Sequence, residues 1–117
     1  MNTAFEPHAI YATAEIARGI TKRLVRQGHQ VHLTIYGKPG RAKCRFLENW
    51  LDRRHLQFDK TDLTEDADAP HMLTQHLGWQ EAPVAVVRLP DGNRLHFAGV
   101  RIDLLEHLAP VLPAADR

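Results

Sequence analysis

The chain predicts an α/β fold, and three observations carry the prediction. Short β-branched runs at Val31–Tyr36 and Val84–Val87 have the length and alternation of strands. Stretches with apolar residues at steps of three and four are interleaved with them, as in amphipathic helices. Asp91-Gly92 stands between two apolar runs, a strong short-range signal for a β-hairpin. Strand and helix patterns that alternate along one chain bury their apolar faces by stacking helices on a sheet.

The first element expected is a helix over His8–Gln27. Ile10, Ala14, Ala17, Ile20 and Leu24 form one apolar stripe, and Gly28 offers a left-handed stop. Arg18, Lys22 and Arg26 make an i, i+4, i+8 row on another face; such rows are ordinarily solvated surface. Val31–Tyr36 follows as a strand, broken by Lys38-Pro39-Gly40. The next helix is expected over Arg41–Arg54, with Phe46, Leu47, Trp50 and Leu51 as its apolar face. Leu56–Thr61 alternates as a short strand, which completes a parallel right-handed βαβ unit. Thr64 can cap a helix running to Leu77, with Glu65, Asp66 and Asp68 at its positive end. Pro83 opens the strand Val84–Val87, the hairpin returns through Arg94–Phe97, and Ile102, Leu104, Leu105 and Leu108 mark a last helix. Residues 1–30 therefore read as a helical extension, 31–109 as the α/β domain, and 110–117 as a loose tail.

Bulk properties narrow the function classes. The 117 residues are 44% hydrophobic and 25% charged, which suits one domain with an ordinary core. No apolar run approaches the ~18 residues needed to span a bilayer, so no membrane role is expected. Met1–Pro7 has neither a basic start nor an apolar stretch, and the single cysteine excludes an internal disulfide; a cytoplasmic protein is expected. The net charge of +1 hides an asymmetry: residues 1–55 hold ten Lys/Arg against four Asp/Glu, and residues 56–117 hold five against ten. Such a split steers an acidic partner, builds a dimer from opposite faces, or is simply solvated; the N-terminal helix, for its part, covers the sheet or mediates a homodimer.

Eight histidines raise the question of a metal, but their spacing does not answer to one. His71 and His76 do not share a helix face, and no Cys/His cluster exists. No Ser/His/Asp set, phosphate-cradling glycine loop, paired acid motif or nucleic-acid signature stands out. Neither a metal nor a cofactor is expected.

The order strand, helix, strand, helix, hairpin, helix resembles the thioredoxin fold. Within it the chain is most similar to the glutaredoxin-like NrdH redoxins, over about residues 31–108. Four places carry the resemblance. They are Ile35-Tyr36-Gly37-Lys38-Pro39; Leu51-Asp52 with Phe58-Asp59 and Asp62-Leu63-Thr64; Leu77–Val84; and Phe97–Asp103. A fainter likeness, in Cys44-Arg45 and Trp50-Leu51, is to Spx and arsenate-reductase relatives. The redoxin resemblance implies a four-stranded mixed sheet flanked by helices, here with an extra N-terminal helix. It implies an active-site turn, Tyr-x-Lys-Pro-x-Cys-x-x-Cys, at residues 36–44. It also implies a cis bond between Ala82 and Pro83, facing that turn. Ala98-Gly99-Val100-Arg101 departs from the Gly-Gly-acidic stretch with which ordinary glutaredoxins grip glutathione, so glutathione is not implied.

The turn departs from the family at the decisive position. Cys44 stands where the second cysteine belongs, and Arg41 where the attacking one belongs. A guanidinium is always protonated and is no nucleophile, and dithiol exchange needs two sulfurs. The resemblance thus implies a degenerate redoxin without dithiol oxidoreductase activity. Such a protein would bind a protein partner through the former rim: Tyr36, Lys38, Arg41, Ala82, Pro83 and Arg101. Lys38, Arg41, Lys43 and Arg45 crowd the start of a helix, which would suit a small anion. Cys44 itself is open to two readings. It is an inert packed thiol, or the catalytic group of a protein that exchanges disulfides through one cysteine.

Overall fold

The computed structural model describes residues 9–63, 65, 73 and 82–115. The helix expected over Thr64–Leu77 lies outside them. Among the described residues the order is β1 (Ala9–Tyr11), α1 (Ala14–Gln27), β2 (His32–Gly37), α2 (Ala42–Arg53), β3 (Asp59–Asp62), β4 (Val84–Arg88), β5 (Arg94–Ala98) and α3 (Ile102–Leu108). The strands form one mixed sheet in the order β1-β5-β4-β2-β3. β2 and β3 are parallel, as α2 between them requires, whereas β4 is antiparallel to both β2 and β5.

The sheet has five strands where four were expected. The added strand is β1, which pairs in parallel with β5 through Ala9↔Arg94, Ile10↔Leu95 and Tyr11↔His96. The helix expected from His8 therefore begins six residues later. Thr13 explains the shift. It has extended backbone, and its Oγ1 accepts the Ile16 amide at 3.2 Å, which starts the helix at Ala14. Ile10 belongs to the apolar stripe by spacing, yet it reaches the same core from a strand. The helix stops at Gly28, whose φ of 75° lets its amide donate to the Leu24 and Val25 carbonyls.

Alternation along the strands sorts the core into two faces. Leu33 and Ile35 of β2, Ala85 and Val87 of β4, and Leu95 and Phe97 of β5 point to one side. There they meet Ala17 and Leu24 of α1, Leu47, Trp50 and Leu51 of α2, and Leu104, Leu105 and Leu108 of α3. On the other side Tyr36, Val84, Val86 and Leu73 form a smaller cluster. Arg54 fastens α2 to α3: its guanidinium lies 4.5 Å from the centre of the Trp50 ring and 2.8 Å from Glu106.

Two further expectations are corrected. The strand expected over Leu56–Thr61 is β3 at Asp59–Asp62, with a polar sequence suited to an exposed sheet edge. Leu56 instead makes an isolated antiparallel bridge with Ala114. That bridge belongs to the second correction, because residues 110–115 are tied down. The Val31 and Gln57 amides donate to the carbonyls of Val111 and Pro113, and the Ala115 amide donates to His55. Val111 and Leu112 are buried. Two prolines and two alanines make this segment look loose in sequence, but its backbone is paired and its two large apolar side chains complete the core. No helix of the described residues is long and apolar enough to cross a membrane.

Candidate functional site

β2 delivers the turn and α2 receives it. Gly37 ends the strand, Gly40 takes a φ of 77°, and the Arg41 amide donates to the Lys38 carbonyl at 3.3 Å. Arg41 is the N-cap of α2, with extended backbone and no capping bond from its side chain. The first helical turn holds no acidic residue, while Lys43 and Arg45 are exposed on it. The helix start thus presents amide donors among cations, a setting that attracts negative charge.

Cys44 lies on the inner side of this turn and is only 3% exposed. Its Sγ sits 3.2 Å from where a Cβ on Gly37 would be, and the Glu48 Oε2 sits 3.9 Å from the same point. Gly37 is therefore the residue that lets strand and helix approach over the thiol. Glu48 is held in turn by Lys60 of β3, with Nζ 3.3 Å from Oε1.

A groove of about 470 Å³ opens between the turn, α2 and the end of β3. It is lined by Lys38 and Arg41 of the turn, by Cys44, Arg45 and Glu48 of α2, and by Lys60 of β3. The volume is that of a small-molecule site, and the lining carries both signs of charge.

The other residues singled out from sequence lie at the same end of the sheet but not in this groove. Tyr36 pairs with Val84 in the ladder, so Pro83, one residue before Val84, lies level with Gly37. The Ala82–Pro83 peptide bond is cis, both residues are buried, and the Pro83 carbonyl accepts the Gly99 amide at 2.7 Å. Tyr36 turns to the opposite face of the sheet, among Val84, Val86 and Leu73. Arg101 is the N-cap of α3 and is committed to Asp103, its Nε and Nη2 donating to the two carboxylate oxygens at 3.0 and 2.9 Å. That paired hydrogen bond raises the Arg101 pKa and lowers that of Asp103.

The turn thus gathers Lys38, Arg41 and Cys44 around one cavity, with Ala82 and Pro83 just before β4 and Arg101 at the start of α3. Two lining residues of the groove, Glu48 and Lys60, did not emerge from sequence. The signal was the i, i+4 step from Cys44 to Glu48, and it needed β3 in register to be used. No group of His, Cys, Asp and Glu suited to a metal ion occurs among the described residues.

No protein-family model matches the chain, and no curated protein matches it. Among solved structures it is similar to a buckwheat glutaredoxin in complex with glutathione. The identity is 16%, over 84% of this chain and 92% of that one, with a TM-score of 0.48. A likeness of that size leaves the chemistry of the turn to be read from its own residues.

Proposed function

We propose that this chain is a glutaredoxin-like protein of the thioredoxin fold, related to the NrdH redoxins, that has lost dithiol chemistry and works by binding. The observation that carries the reading is Arg41 at the N-cap of α2 with the single cysteine three residues further on. A redoxin places its attacking thiolate at the helix start, where peptide dipoles stabilise it, and keeps the second thiol behind it. Here the first position holds a cation that can neither attack nor leave. The second holds a thiol packed against Gly37 and 3% exposed, which favours packing over exchange through Cys44 alone.

What remains of such a site is a binding rim. Tyr36, Lys38, Arg41, Ala82, Pro83 and Arg101 belong to one end of the sheet, and the partner would be a protein seated there. Lys38 and Arg41 beside the groove add affinity for an anionic group on that partner or for a small free anion. Glutathione is not a ligand in this reading, and Arg101, which the resemblance sets beside the site, is already paired with Asp103.

The test is turnover with thioredoxin reductase, NADPH and a protein disulfide, using material freed of other redoxins. No turnover is expected. Sustained turnover would refute the reading. Maleimide labelling of the folded chain addresses the second reading: slow labelling that becomes fast on unfolding supports a packed Cys44, and fast labelling of the native chain supports a thiol-exchange protein.

A further inference from the structure

The outer face of α1 carries charge that the fold does not use. Arg18, Lys22, Arg23 and Arg26 are exposed on a helix of 14 residues, against one acid, Glu15. None of the four has a hydrogen bond or ion pair among the described residues. Four acids elsewhere are already engaged: Asp59 with His32, Glu48 with Lys60, Glu106 with Arg54 and Asp103 with Arg101. Four cations without a partner among the described residues therefore stand on this one helix, apart from those at the start of α2.

Its spacing is ordered. Arg18, Lys22 and Arg26 recur every fourth residue, so each step advances about 6 Å along the axis and the row stays on one side. Val25, 55% exposed, lies on the same side, between Arg18 and Arg26 in height. An apolar side chain within a cationic row gains nothing from a phosphate backbone. One valine is also too little apolar surface to hold a helix in a lipid interface. A second helix meets both demands. Carboxylates placed every fourth residue repeat at the same 6 Å, and an apolar residue between them covers Val25.

We infer that the α1 face of Arg18, Lys22, Val25 and Arg26 is a docking surface for an acidic amphipathic helix of a partner protein. The surface is separate from the rim around Arg41 and does not depend on the function proposed for it. Long cations on an exposed helix give a contact that forms fast and weakens with salt, and Val25 adds a component that salt does not screen.

The test uses the full chain and a fluorescein-labelled helical peptide with Glu at i, i+4 and i+8 and Leu between them. Fluorescence anisotropy should report saturable binding at low salt, weakened at least about tenfold by the double substitution Lys22→Glu and Arg26→Glu. Lys22→Gln with Arg26→Gln should fall between, and circular dichroism should show all variants folded. Val25→Ser should weaken binding without changing its salt slope. A peptide of the same composition with its Glu residues scrambled should bind several-fold more weakly. Equal binding of the scrambled peptide would reduce the face to unspecific charge and overturn the inference. So would tighter binding to duplex DNA or to phosphatidylserine vesicles, or self-association abolished by the Lys22→Glu/Arg26→Glu pair.

Discussion

An added methyl at Gly37 would stand 3.2 Å from the Sγ of Cys44, closer than ordinary packing allows. Cys44 is 3% exposed on a helix already packed through Leu47 and Leu51, so it has little room to retreat. Gly37→Ala should therefore cost about 1–2 kcal/mol in urea unfolding. The same change in a Cys44→Ala background should cost clearly less, because the crowding sulfur is gone; equal costs would disprove the contact. Arg101 and Asp103 make a second prediction at this scale. The bond to Arg101 holds the Asp103 carboxyl below its usual range. A group whose pKa is lowered by folding adds stability above its unfolded pKa and loses it as pH falls through the folded one. Both side chains are well exposed, 41% and 53%, so the effect on stability is small and the titration itself is the readout. By NMR, Asp103 should titrate below an ordinary aspartate, and Arg101→Gln should return it upward.

Elements differ in how plainly their residues announce them. α2 and the β4–β5 hairpin were legible because local signals and tertiary burial largely agree: Leu47, Trp50 and Leu51 are buried on one face, though Phe46, expected with them, is 53% exposed, and Asp91-Gly92 stands at the turn. β1 was not, since Ile10 fits the helical stripe as well as it fits a strand; Thr13 decided the matter through one hydrogen bond. Thr13→Ala should cost about 1 kcal/mol of stability, measured by thermal or urea unfolding. The C-terminal segment was illegible for another reason. Its order comes from long-range pairing with residues 55–57 and Val31, which no local pattern encodes. Leu112 is buried at its centre, so Leu112→Ala should cost about 2–4 kcal/mol. Protection of the Ala115 amide from hydrogen exchange should fall with it. A tail that frays freely would leave both measurements unchanged.

For the whole molecule, the site was legible in part. The resemblance of residues 36–44 to a redoxin active-site turn sets Lys38, Arg41 and Cys44 together, and all three line one groove. Glu48 and Lys60 were not legible, because their meeting depends on how β3 registers against β2, and the strand boundary was expected three residues too early. The basic half of the chain becomes, in three dimensions, a cationic face on α1 and a cationic start to α2, while four acids are engaged in ion pairs. The function proposed above takes the turn from Gly37 to Cys44 to be a redoxin turn that lacks its first sulfur. Arg41→Cys tests it most directly. The new thiol would stand at the helix start beside Lys38 and Lys43, where thiolate is favoured, with Cys44 one turn inside. Under mild oxidant the folded variant should form a reversible disulfide between the introduced cysteine and Cys44, detected by mass and by loss of both free thiols. A folded variant that keeps two free thiols under the same oxidant would contradict the account.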